Sequence, residues 1–158
     1  MTPPDAGPVV TAAARAVRLP AAGGRLSPGN LLRELLRGCP PELVYSRAEL
    51  RLCAARPGAT GWGGRLAAKL AVAGLFDVDA EAALEARRDA GLRFVEILPA
   101  PSVPCPDGAG CTKPHPPDVR FGAGFSCGED ESVKVSISHT TELAVALAVR
   151  VTERTAVR

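Results

Sequence analysis

From Val133 to Val149 the chain reads V-K-V-S-I-S-H-T-T-E-L-A-V-A-L-A-V, and this stretch constrains the fold more than any other. Val133, Val135 and Ile137 alternate with Lys134, Ser136 and Ser138, the period-two pattern of a strand with one buried face. A polar break follows, Ser138-His139-Thr140-Thr141, and a second apolar run from Leu143 to Val151 then reads as the returning strand of a hairpin. A rigid hairpin with an imidazole and several hydroxyls at its turn is a place where chemistry can be positioned.

The core that such a hairpin joins must be built from small side chains. Apolar residues make up 46% of the 158 residues, yet aromatic residues only 4%, which leaves Ala, Val and Leu to fill the interior. The length suits one domain with a sizeable core. Burial per residue is modest, and an oligomer interface is the expected supplement. A formal net charge of +2 gives no basis for a nucleic-acid partner.

No stretch approaches ~20 apolar residues, so no transmembrane helix and no membrane partner are expected. Residues 1–12 contain Pro3, Pro4, Asp5 and Pro8 without a basic start or an apolar segment of signal-peptide length. A cytoplasmic location is the expectation. Cys39, Cys53, Cys105, Cys111 and Cys127 are odd in number, which fits a reducing compartment better than a disulfide framework.

Along the chain, residues 1–12 read as a flexible Pro-rich arm and 13–158 as a single domain. A short strand is expected over Ala13 to Leu19. Ser27 followed by Pro28 marks a helix entry, with the helix running from Leu31 to Arg37. Ser46 with Glu49 three residues on is a capping-box pattern for a helix through Ala55, ended by Pro57-Gly58. A Trp62 to Leu75 helix places Leu66, Leu70 and Ala73 on one face, with Lys69 off that face. Asp79 to Asp89 reads as a helix with acidic residues first and Arg87-Arg88 last, closed by Gly91. Leu92 to Leu98 alternates as a strand, and a Pro/Cys-rich insertion follows near 99–118.

Three segments recur in a telling order: Tyr45-Ser46-Arg47-Ala48-Glu49-Leu50, then Arg65-Leu66-Ala67-Ala68-Lys69-Leu70-Ala71, then Ser136-Ile137-Ser138-His139-Thr140. Together they resemble the "F-[ST]-x-x-E-L", "R-x-A-A-K-E-A" and "S-[IL]-S-H-[ST]" motifs of the holo-acyl-carrier-protein synthases, small homotrimeric members of the 4′-phosphopantetheinyl transferase superfamily. The likeness runs from about Leu43 to Val151. It implies an α+β fold with helices packed on a mainly antiparallel sheet, coenzyme A or phosphopantetheine as the cofactor, an acyl carrier protein as the partner and a homotrimer as the assembly.

The departures from the family pattern bear on the chemistry. The family binds Mg²⁺ through the glutamate of "K-E-A" and the aspartate of an N-terminal "G-x-D-[IV]-V-E" strand. Here the glutamate position is Leu70, a later helix lysine falls at Gly74, and the N-terminal aspartate and glutamate align with Arg15 and Arg18. Mg²⁺ takes oxygen ligands in near-octahedral geometry. Leucine and arginine supply none, so no Mg²⁺ is expected at the usual place. A guanidinium can pair bidentately with a pyrophosphate instead of a metal, or the two arginines can be plain surface charges.

The resemblance implies a coenzyme A site lined by Ser138 and His139, with Lys69, Arg65, Arg15 and Arg18 as further contacts. Thr112-Lys113-Pro114 stands where the family has "G-K-P", which adds Lys113. His139 and Lys69 are the catalytic candidates. Structural readings compete: a hydrogen-bonded histidine at a strand end and an exposed helix lysine. Cys105, Cys111, His115 and Cys127 form a Cys₃His set, but C-x5-C-x3-H is not a tight zinc spacing, and a Pro-stiffened loop with incidental thiols is the expectation.

Three functions follow. The favoured one is a divergent relative that works on carrier-protein-bound or pantetheine substrates in polyketide or fatty-acid-type biosynthesis, repurposed for chemistry such as cyclisation or acyl transfer, with His139 or Cys127 in the catalytic role. The others are an active synthase that uses Arg and Lys in place of the metal, and a non-catalytic partner of a carrier protein or an active enzyme.

Overall fold

The computed structural model describes residues 7–21, 26–55, 58–99, 117–123 and 125–153. The hairpin forms as its alternation predicts. Strand β4 (Glu131–His139) and strand β5 (Leu143–Thr152) pair antiparallel with Ser138 opposite Val145 and His139 opposite Ala144. Thr140 makes the turn, its hydroxyl accepting from the backbone N–H of Glu142 and Leu143 at 3.2 and 3.1 Å.

The N-terminal strand, β1 (Val9–Arg18), pairs antiparallel with the other edge of β5, giving a three-stranded order β1-β5-β4. It begins at Val9, so the expected arm boundary at residue 12 is corrected: Val9 to Ala12 pair with Thr152 to Val149. Ladder hydrogen bonds draw this apolar stretch into the sheet.

Among the described residues five helices follow: α1 (Pro28–Leu35), α2 (Pro41–Val44), α3 (Arg47–Ala55), α4 (Ala59–Leu75) and α5 (Ala80–Glu85). A 3₁₀ turn at Leu92–Phe94 leads into β2 (Val95–Pro99), which pairs antiparallel with β3 (Pro117–Phe121). The expected strand from Leu92 is corrected at its start, because Gly91, at φ 72, turns the chain first. The architecture is α+β, helices on antiparallel sheet, as expected. The insertion near 99–118 lies almost wholly outside the described residues.

Helix α4 is the centre of the molecule. It crosses β5, β1 and β4 and is buried nearly all round, from Trp62 to Ala73 with Arg65 alone half-exposed. Its sheet side is made of glycine and alanine. A Cβ at Gly63 would overlap the Leu19 side chain, and Ala144, Ala146 and Ala148 line the strand below. Small residues on both surfaces let helix and sheet approach closely, which is how a chain poor in aromatics reaches interior density.

Helix ends carry a shared signature. Arg37, Asp77 and Arg87 each adopt positive φ, near 53 to 56°, one residue beyond a helix C-cap. After α5, Arg88 N–H bonds Ala83 C=O at 2.7 Å and Arg87 N–H bonds Leu84 C=O at 3.0 Å, a complete Schellman motif with arginine where glycine is usual. This closure corrects the expected helix end at Asp89.

Candidate functional site

The capping box at Ser46 forms. Ser46 N–H donates to Glu49 Oε2 at 2.8 Å, and Glu49 N–H donates to Ser46 Oγ at 3.3 Å. Glu49 also reaches inward. Its Oε2 lies 2.7 Å from Lys69 Nζ, and both side chains are fully buried.

Around this pair the free edge of β2 is satisfied by side chains instead of a strand. Ile97 N–H donates to Glu49 Oε1 at 2.9 Å, and Ile97 C=O accepts from Arg65 Nε at 3.1 Å. Lys69 Nζ donates to the carbonyls of Leu92, at 2.8 Å, and Val95. Buried backbone groups need partners, and three charged side chains supply them here. Burial pushes the Glu49 carboxyl up and the Lys69 ammonium down, each partner's charge opposing the shift.

This geometry corrects the place expected for Lys69. It is neither an exposed helix lysine nor a phosphate-facing one, because its three donors are taken by Glu49 and two carbonyls within a closed interior. Tyr45 covers it, the ring centroid 5.9 Å from Nζ, and the phenol donates to Trp62 C=O at 2.9 Å.

Ser138 and His139 part company. Strand alternation puts Ser138 on the outward face with Val145, whereas His139 follows Val133, Val135 and Ile137 on the inner side. His139 is exposed and lines a groove of about 320 Å³ with Arg65, Gly61, Gly64 and Ile97. Arg65 spends Nε on Ile97 and one amino group on Gly61 C=O at 3.3 Å and also bonds the Cys53 side chain, which leaves only part of its five-donor fork for a ligand. Among the described residues no carboxylate lines this groove. Its charge suits an anion.

Arg15 and Arg18 also separate. Arg15 faces inward, and its guanidinium lies 3.1 Å from where a Cβ on Gly74 would sit, with Nε 3.7 Å from Glu81 Oε1. Arg15, Leu70 and Gly74 line one pocket with Asp77, Asp79 and Glu81. Alternation puts Arg18 on the other side; it is exposed at the last residue of edge strand β1, opposite Leu143, where it also borders the clefts at that strand end. Lys113 lies outside the described residues, as do Cys105, Cys111 and His115.

The place where the resemblance puts Mg²⁺ does not fit that ion. Leu70 offers no oxygen, Arg15 brings a positive charge, Asp79 Oδ1 caps α5 by accepting from Ala82 N–H at 3.1 Å, and Glu81 faces Arg15, so that of the lining carboxylates Asp77 alone has neither of these engagements. Among the described residues no group of three or more His, Cys, Asp or Glu could hold a metal ion.

Cys127 stands before β4, whose nine residues separate it from His139 by roughly 25 Å at strand rise, so the two do not form a catalytic couple. Burial, and secondarily the Glu131 carboxylate, push its thiol up. The charged clamp on β2 was not foreseen from sequence. Its only signal was the capping-box glutamate in a helix followed by a lysine in an otherwise apolar helix.

No protein-family model and no curated protein matches the sequence. Solved structures do. The chain is similar to the ACPS of Chronobacterium ammoniagenes in its apo form, with TM-score 0.54 at 20% identity over 93% of this chain and 99% of that one. It is likewise similar to that organism's ACPS-CoA complex, with TM-score 0.56 at 20% identity over 92% and 99% of the two chains. The fold expected from the three motifs is the fold observed. No described helix is long and apolar enough to cross a membrane.

Proposed function

We propose that this chain is a divergent phosphopantetheinyl-transferase-like protein that acts on carrier-protein-bound or pantetheine substrates, in polyketide or fatty-acid-type biosynthesis, by chemistry other than Mg²⁺-dependent transfer. One observation supports the reading: Arg15 and Leu70, which the resemblance aligns with the metal ligands, line one pocket, and the Arg15 guanidinium fills the space beside Gly74. The negative charges of Asp77, Asp79 and Glu81 outnumber Arg15 there, which opposes a pyrophosphate.

The anion-compatible surface is the groove between α4, β2 and the end of β4. Arg65 binds the phosphate or amide end of a pantetheine arm through its remaining donors. His139, exposed beside it, gives or takes a proton on a tethered intermediate, as cyclisation or acyl transfer requires. Lys69, closed away in the clamp, keeps Arg65 and β2 in place and touches no substrate.

The assembly follows from the sheet. Leu143, Val145 and Leu147 are 40%, 38% and 45% exposed on the outward face of β5. Ala12, Ala14 and Ala16 of β1 flank them, opposite Val149, Leu147 and Val145. An apolar face on a central strand favours association with further copies. The family resemblance supplies three as the number and an acyl carrier protein as the partner.

Calorimetric titration with phosphopantetheine in excess EDTA tests the reading. Binding without divalent metal, weakened at least tenfold in both Arg65→Gln and His139→Gln, is expected. Binding that requires Mg²⁺, or that both variants leave unchanged, would sink it.

A further inference from the structure

Leu70 borders a second pocket, of about 270 Å³, between β1, α1, α4 and α5. Its floor is aliphatic: Val17, Leu35, Leu66, Leu70 and Leu84 converge from those four elements. Its rim is charged. Arg37 is paired with Glu85, and Glu81 faces Arg15, but no ion pair to Arg18 or Glu34 occurs among the described residues.

Arg18 and Glu34, with Leu19, also border a wider cleft of about 770 Å³ that reaches the hairpin turn at Thr141 and Glu142. The smaller, aliphatic-floored pocket therefore adjoins the wider cleft across a rim that both Arg18 and Glu34 border. An aliphatic floor beneath a charged rim matches an amphiphile, its hydrocarbon inside and its polar end outside. A carboxylate at position 70 would make the floor hostile to hydrocarbon, because an ionised group cannot leave water without a partner. Leucine makes it hospitable.

We propose that this pocket binds the acyl chain of the substrate, with the carbonyl or carboxylate end of the acyl group at Arg18. The pocket thus selects medium aliphatic acyl groups over acetyl. The proposal rests on the preceding reading only for what carries the acyl group. Leu70 and Leu84 contact the hydrocarbon, and Arg18 orients its polar end.

Two parallel series of ligands separate the two claims: S-acyl pantetheines from acetyl to octanoyl, and the free carboxylates from acetate to octanoate, each titrated against wild type, Leu70→Glu and Arg18→Gln. Affinity is expected to rise up to about fourfold per methylene until the pocket fills, as full burial of a methylene allows. Leu70→Glu, checked for folding by circular dichroism, should abolish the chain-length dependence. Arg18→Gln, on an exposed side chain, should weaken every carboxylate while keeping the dependence.

Chain-length dependence in the carboxylates alone supports the pocket and contradicts the pantetheine reading. Pantetheine binding with no chain-length dependence in either series overturns the pocket and leaves the pantetheine reading standing. A dependence that survives in Leu70→Glu also overturns the pocket, since the hydrocarbon then lies elsewhere.

Discussion

Lys69 Nζ and Glu49 Oε2 lie 2.7 Å apart in an interior closed to solvent, and the same two side chains hold the backbone of the 3₁₀ turn at Leu92 and of β2 at Val95 and Ile97. Removing one partner leaves the other charged and unpaired, along with orphaned backbone groups. Lys69→Met should therefore cost about 3–5 kcal/mol. Glu49→Leu with Lys69→Met should cost less than the sum of the single changes, because the pair is removed together. Urea denaturation of the three variants measures this.

Glu131 accepts from Arg150 at 2.7 and 2.8 Å and from Gly128 N–H at 3.0 Å. The Arg150 contact first, then the Gly128 N–H, holds its carboxyl below the ordinary range. A lowered carboxyl stabilises the fold above its unfolded pKa of about 4.3, and that contribution disappears as pH falls through the folded value. Thermal melts should show wild type losing stability below about pH 4.3 more steeply than Glu131→Gln. Parallel acid limbs in the two proteins would contradict the assignment.

Two glycines of α4 are sites of close approach. Gly63→Ala would drive a methyl into Leu19 above Ala144, and a loss of about 1–3 kcal/mol is expected from overpacking. At Gly74 a Cβ meets the Arg15 guanidinium at 3.1 Å and Ala13 Cβ at 3.4 Å. Gly74→Val should displace Arg15 from Glu81. Fluoride or phosphate added to the pocket is not needed to see it: nuclear magnetic resonance of the Arg15 Nε–H reports the change directly.

Asp77 holds φ 56 after α4, with Val78 N–H bonded to Ala73 C=O at 3.0 Å. Glycine adopts that conformation without the Cβ strain, so Asp77→Gly should stabilise by about 0.5–1 kcal/mol. A raised midpoint in thermal unfolding is the expected result.

The sequence made the hairpin, the two capped helices and the α4 span legible because each rests on a local signal: alternation in β4 and β5, Ser27 and Ser46 with their partners, and an Ala/Leu-rich run after Gly58. What it concealed was set by tertiary partners. Lys69 reads as a polar interruption on a helix until Glu49, forty-eight residues before Ile97, is seen to meet it at the edge of β2. The ends of α1 and α5 were hidden because arginine occupies the positions where glycine normally announces a stop. In the candidate site, alternation alone implied that Ser138 and His139 point apart, yet a shared motif suggested one surface for both. Arg15 and Arg18 were separated by the same alternation.

The most direct test of the account is intact-protein mass spectrometry of an apo carrier protein incubated with this protein, coenzyme A and Mg²⁺, beside an active transferase as control. With Leu70 and Arg15 lining the pocket where the resemblance puts the metal ligands, no phosphopantetheine mass gain is predicted. A gain that depends on Mg²⁺ would contradict the central claim.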